Sequence, residues 1–207
     1  MYYPEPIERL IEHLNRLPGI GRKTATRLTF FLLHANNGYI ADLAASIAEL
    51  KEKIRLCSTC FNITDVDPCQ YCRDEHRGRG VVCVVEEPSH IMMIESSNPR
   101  TYRYHVLHGV INPIEGIGPE DIRIPDLKSR IEREGVTELI IATNPTIEGN
   151  TTAHYIAELT KPLHVKITRI ASGIPVGGDI VYTDPLTIKS AIENRKSLMD
   201  DDGQPLS

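Results

Sequence analysis

Four of the five cysteines fall between Leu56 and Gly80, as Cys57-x-x-Cys60 and Cys69-x-x-Cys72 with eight residues between the pairs. The segment has no apolar run, so it cannot bury a core of its own and needs a metal to hold a fold. A two-residue gap turns both thiolates of a knuckle toward one ion, and two knuckles complete a tetrahedral shell that suits zinc. Four thiolates leave no open position for water, so the expected role is structural. The short spacer predicts a compact, loop-built module. The competing readings are four unrelated buried cysteines, or a redox Cys-x-x-Cys, which lacks the strand-to-helix setting such motifs need. His76 is a possible substitute ligand but reads better as a surface residue, and Cys83, inside an apolar run, reads as a small core side chain. Five cysteines in 207 residues are too few for a disulfide scaffold and point to a reducing, cytoplasmic compartment. The opening Met1-Tyr2-Tyr3-Pro4-Glu5 has no signal-peptide layout, and the longest apolar stretches, Val81–Val85 and Leu139–Ala142, are of strand length, which predicts no membrane span.

The cysteine segment divides two different textures. Before it, Ile7, Leu10, Ile11, Leu14 and Leu17 recur at helical spacing, as do Ala25, Leu28, Thr29, Phe31 and Leu32, and then Leu43, Ile47, Leu50 and Ile54. This predicts a small helical bundle. After it, Val81–Val85, Tyr104–Leu107, Leu139–Ala142 and Val165–Ile167 read as strands. They alternate with helical stretches at Pro88–Ser96, Leu127–Glu134 and Thr151–Thr160, which predicts a mostly parallel sheet covered on both faces. Gly109–Ile124 reads as a long ordered loop, and Asp200–Ser207 as a frayed tail.

The turn between the first two helices is Leu17-Pro18-Gly19-Ile20-Gly21, followed by Arg22, Lys23 and Arg27. Gly19 and Gly21 permit a tight turn whose amides can face a phosphate, and the dipole of the second helix adds to that attraction. From Arg16 to His34 there are four basic residues and no acidic one, inside a chain of net charge −5. Contacts of this kind bind DNA without reading bases. The plainer reading is a helix–helix connection with a solvated basic face. Gly21-Arg22-Lys23-Thr24 is no P-loop, because no glycine directly precedes the lysine and no strand leads into it.

Ligands of parallel sheets sit beyond the carboxyl ends of the strands, where this chain places Glu86, Glu87 and the run Asn144-Pro145-Thr146-Ile147-Glu148-Gly149-Asn150. A magnesium site wants several convergent carboxylates. Only Glu86 and Glu148 are well placed, with Glu87 weaker, so surface or loop-bracing carboxylates are the better reading.

In combination, Leu17–Gly21, the four cysteines, Val84–Pro88, His108-Gly109, Gly116–Pro119, Ala142–Gly149 and Gly173–Gly178 give a sequence that closely resembles the RecR family of bacterial recombination mediators, over nearly its whole length. The resemblance implies a multi-part α/β protein. Residues 1–56 would be a helix-hairpin-helix DNA-binding region, 57–72 a zinc finger, 80–176 a Toprim domain, and 177–207 a C-terminal strand/helix segment for oligomerisation. It implies that Lys23 and Arg27 contact DNA. Arg22 stands where relatives often have proline, so it either adds a phosphate contact or is solvated. Asn144, Thr146 and Glu148 occupy the positions of the Toprim Asp-x-Asp-x-Glu signature, so both aspartates are missing; Glu86 matches the first Toprim glutamate, and Asn150 replaces a frequent acidic residue. The implied protein is a non-enzymatic repair mediator forming dimeric or tetrameric rings and acting with RecO and RecF in RecA loading. Its zinc would fix the head to the body, and Glu86 and Glu148 would mark a partner face. The alternatives are a magnesium-dependent Toprim nuclease or primase with a degenerate site, or a protein adaptor whose basic hairpin is incidental.

Overall fold

A computed structural model describes residues 3–99 and 101–197. The chain divides into two compact units, one ending at Ile54 and the other beginning at Arg55. The head contains α1 (Glu5–Asn15), α2 (Arg22–His34) and α3 (Asn37–Lys53). Pro6 and the acidic pair Glu5 and Glu8 suit the start of α1, through a fixed φ and favourable charge at the helix N-terminus. This helix packs on α2, and Ile11, Ala25 and Thr29 are buried. The Asn36 side chain caps α3 by accepting from the Tyr39 amide at 2.8 Å. None of the residues of α3 is buried, and Ile47 and Leu50 are exposed. The expected bundle is therefore a packed helix pair plus a third helix whose apolar residues find no core within the head.

In the second unit, β1 (Arg55–Leu56) and β2 (Ile63–Thr64) pair antiparallel, and α4 (Gln70–Arg73) is a single helical turn. The cysteine module is thus not wholly loop-built. Strands of two residues are too short to leave an alternating pattern in a sequence.

The main sheet contains β3 (Val81–Val85), β4 (Arg103–Val106), β5 (Glu138–Ala142) and β6 (Lys166–Arg169), in the order β4-β3-β5-β6 with every pairing parallel. Alternation along the strands supplies two cores. Val82, Val84, Leu139 and Ile141 join Ile124, Leu127 and Ile131 of α6 (Ile124–Glu134) and Ala153 and Ile156 of α7 (Ile147–Thr160). Cys83, Val85, Tyr104 and Val106 join Ile91 of α5 (Pro88–Ser97) together with Phe61 and Tyr71 of the cysteine module. Cys83 is a core residue, and burial pushes its thiol up to about 12. The stretch from Gly109 to α6 holds no named strand or helix; one bridge joins Asn112 to Ile117, and Ile111 and Ile122 are buried in the core.

Beyond β6 lie a 3-10 turn at Ile180–Tyr182 and α8 (Pro185–Glu193), capped by Asp184, whose side chain accepts from the Leu186 and Thr187 amides at 3.0 Å each. No strand follows β6 among the described residues, so the strand half of the expected C-terminal segment is absent there. Gly177 at φ +81 and the Asp179 and Asp184 caps favour turns over extension. The tail Asp200–Ser207 lies outside the described residues.

Candidate functional site

The fold gathers the four cysteines. Their Sγ atoms all lie within 4.8 Å of one another, with Cys57 to Cys72 at 3.9 Å and Cys60 to Cys69 at 3.5 Å. A tetrahedral zinc with Zn–S of about 2.3 Å needs sulfurs about 3.8 Å apart, so the spacing fits the ion. A left-handed Phe61 (φ +61) closes the first knuckle, with its amide donating to the Cys57 carbonyl at 3.0 Å. The helical turn α4 forms the second knuckle, its Cys72 amide donating to the Cys69 carbonyl at 3.0 Å. The Cys69 amide also donates to the Cys57 sulfur at 3.3 Å. Hydrogen bonding to Cys60 draws the Cys57 and Cys69 thiols down, while the same sharing pushes Cys60 up. Crowded thiols share protons in this way; a dication lets all four ionise. His76 is exposed and lies outside this group.

The module is fastened to the sheet at β4. The Val106 amide donates to the Cys60 carbonyl at 2.9 Å, and Arg103 donates to the carbonyls of Cys72 (3.0 Å) and Asp74 (3.3 Å). Buried Arg77 forks onto Glu95 at 2.6 and 2.8 Å, and the Tyr104 hydroxyl donates to the same carboxylate at 2.6 Å. Phe61 meets His105 edge-on, and Tyr71 meets Tyr104 likewise. The module therefore covers the open edge of a parallel sheet, which would otherwise present unpaired strand groups. Nothing in the spacing of Arg77, Glu95 and Arg103 announced this clamp.

In the head, Gly19 adopts φ +78, a conformation that favours glycine. Gly21 does not need to be glycine for the turn: its φ of −78 is ordinary, and a Cβ there would meet nothing within 4 Å. Its bareness leaves the N-terminus of α2 open to approach, and no side chain caps the first amides of that helix. Lys23 and Arg27 are exposed, one helical turn apart, and form no salt bridge among the described residues. Arg22 instead donates to Glu8 of α1 at 2.8 Å, bracing the helix pair.

At the carboxyl ends of β3 and β5 the structure departs from a face marked by two acids. Glu86 is only 8% exposed, and its two carboxylate oxygens accept from the Asn144 amide at 2.7 Å and the Asn144 side-chain nitrogen at 2.6 Å. This carboxylate braces a loop instead of facing a partner. Glu148, half-buried in the first turn of α7, and exposed Glu87 remain accessible. Gly149 is required by close approach, since a Cβ there would come within 2.1 Å of the Asn144 carbonyl oxygen. Asn144 stood out in the sequence as a replacement for aspartate, but its role as donor to Glu86 did not; Val85 pairs with Ala142, so the loops after these strands are neighbours. Among the described residues, no group of three or more carboxylates converges as a metal site.

These parts define the class: a multi-module α/β protein with a helix-hairpin-helix head, a four-cysteine metal motif and a Toprim-type parallel sheet. Residues 7–51 match the RecR helix-hairpin-helix family, 54–74 the RecR four-cysteine zinc finger domain, 80–171 the Toprim domain and 173–196 the RecR C-terminal family. The recombination protein RecR of Heliobacterium modesticaldum is 51% identical over 197 residues, 95% of this chain and 99% of that protein. The chain belongs to the RecR family.

Proposed function

We propose that this chain is a non-catalytic, DNA-binding mediator of recombinational repair, acting in the cytoplasm with RecO and RecF to load RecA at single-stranded gaps. The observation that carries the DNA-binding part is the uncapped N-terminus of α2. Its bare Gly21 opens the way for a phosphate, and Lys23 and Arg27 stand exposed beside it without a salt bridge among the described residues. Amide donors, helix dipole and Lys23 favour one anion position, Arg27 one helical turn on favours the next, and neither contact reads a base. Arg22, tied to Glu8, contributes more to holding the helices than to the phosphate.

Cys57, Cys60, Cys69 and Cys72 would hold zinc, which supplies the charge that keeps four thiolates together and the module on the edge of β4. The Glu86–Asn144 hydrogen bonds favour a Toprim domain used as scaffold: an amide donor satisfies the carboxylate where an active site would place an aspartate and a cation. Glu148 is an accessible acid for RecO or RecF. Exposed Val176, Val181, Tyr182 and Leu186 support self-association into a dimeric or tetrameric ring, with several weak heads acting on one DNA.

The test is DNA binding by Lys23→Ala with Arg27→Ala. Affinity at low salt should fall and its salt dependence flatten; unchanged affinity overturns the reading. Incubation of the protein with magnesium and end-labelled DNA discriminates the nuclease reading, and clean cleavage would establish it.

A further inference from the structure

Past Arg27 the exposed face of α2 changes from basic to aromatic. Arg27, Phe30, Phe31, His34, Asn36 and Tyr39 line an open groove of about 690 Å³ within the head. Among the described residues, no acidic side chain lines it. Phe31 is 60% exposed and Tyr39 46%, and the two rings meet edge-on at 6.3 Å and 81°, an arrangement that leaves ring surface uncovered. Lys23, Arg27 and Phe31 lie at successive four-residue steps and so share one face of the helix. At about 1.5 Å per residue, Lys23 and Phe31 are about 12 Å apart along the axis. A strand whose phosphate sits at the hairpin and whose next phosphate meets Arg27 therefore carries its bases over the rings.

We propose that this groove is a base-stacking platform for single-stranded DNA, in which unpaired bases stack on Phe31 and Tyr39 while Arg27 holds the connecting phosphate. The proposal rests on the hairpin as a phosphate site and adds strand preference to it. Aromatic faces beside cations suit unpaired bases of any sequence, because every base offers a π-face. Paired, stacked bases of a duplex cannot reach the rings, so the groove adds affinity for single strands alone. A second copy of the head, burying Phe31 against apolar side chains, is the competing occupant.

The chain has no tryptophan, so Phe31→Trp in the full chain gives a single reporter. Its emission is followed during titration with oligo(dT) and with blunt duplex of equal length, and binding is measured independently by anisotropy of labelled DNA. The proposal expects quenching that saturates together with oligo(dT) binding, and none with duplex. Oligo(dT) binding without a change in emission overturns it, as does equal quenching by duplex. Phe31→Leu keeps the apolar bulk and removes the π-face. It should weaken oligo(dT) binding roughly 5- to 150-fold while leaving duplex affinity and solution mass unchanged. A fall in solution mass with oligo(dT) affinity intact would assign the groove to the second copy instead. Wild-type protein that binds neither DNA would overturn the hairpin reading, and the groove with it.

Discussion

Asn144 differs from aspartate by one amide group, and that group donates to Glu86 at 2.6 Å. Aspartate there would set two carboxylates against each other in a site where Glu86 is buried. Asn144→Asp should cost about 1–3 kcal/mol in magnesium-free buffer, and millimolar magnesium should restore part of the loss. Thermal unfolding with and without magnesium measures this, and the Tm of the wild type should stay indifferent to the ion. His105 is a second residue with a defined consequence. Its Nε2 donates to the Arg123 carbonyl at 2.7 Å, and burial holds the imidazole down at about 3. The folded state therefore keeps the ring neutral, whereas the unfolded chain takes up a proton near pH 6.5. The stability contributed is full above pH 6.5 and drains away as pH falls towards 3, to a total of roughly 5 kcal/mol. His105→Gln, which keeps a donor but does not titrate, should flatten the dependence of denaturant stability on pH between 6 and 4. An unchanged slope would show that another group governs acid unfolding.

The cysteine module acts as an element through β4. The Val106 amide is bonded to Cys60, and Arg103 to the carbonyls of Cys72 and Asp74, so loss of the metal should loosen the sheet edge along with the knuckles. Cys60→Ser, or strong chelation of the wild type, should release one zinc per chain and speed hydrogen exchange at Val106, leaving Val84 in the sheet interior protected. Equal exchange at both positions after metal release would contradict this coupling. The helices and long strands were legible in the sequence because apolar spacing records which face is buried: Val82 and Val84 against Cys83 and Val85, or Ile7, Ile11 and Leu14. The cysteine spacing likewise named its four residues. Strands β1 and β2 were not legible, being two residues each. The Glu86–Asn144 bond was invisible because it depends on β3 and β5 being neighbours, which no local pattern encodes. Ile47 and Leu50 of α3 looked like core and proved exposed, since periodicity marks an amphipathic helix without saying what covers it.

Over the whole molecule, the net charge of −5 averages over a hairpin segment that carries four basic residues and no acidic one between Arg16 and His34. The total hides that local positive charge, and it is the distribution of charge that favours nucleic acid. A single head offers few phosphate contacts, and the proposed ring would raise affinity by linking several. Tyr182→Asp with Leu186→Asp, at two exposed C-terminal side chains, should lower the solution mass and weaken DNA binding roughly 100-fold or more through lost avidity. Light scattering alongside DNA titration separates the two effects, and full affinity in a smaller species would contradict the ring.

The central claim is that Lys23, Arg27 and the open N-terminus of α2 hold phosphates. Its most direct test is the slope of log affinity against log salt for single-stranded DNA, in wild type and in Lys23→Ala with Arg27→Ala. Removing two phosphate contacts should lower the magnitude of that slope by about 1.4 for each engaged head. Equal slopes, with equal affinities at low salt, would place the DNA elsewhere on the protein.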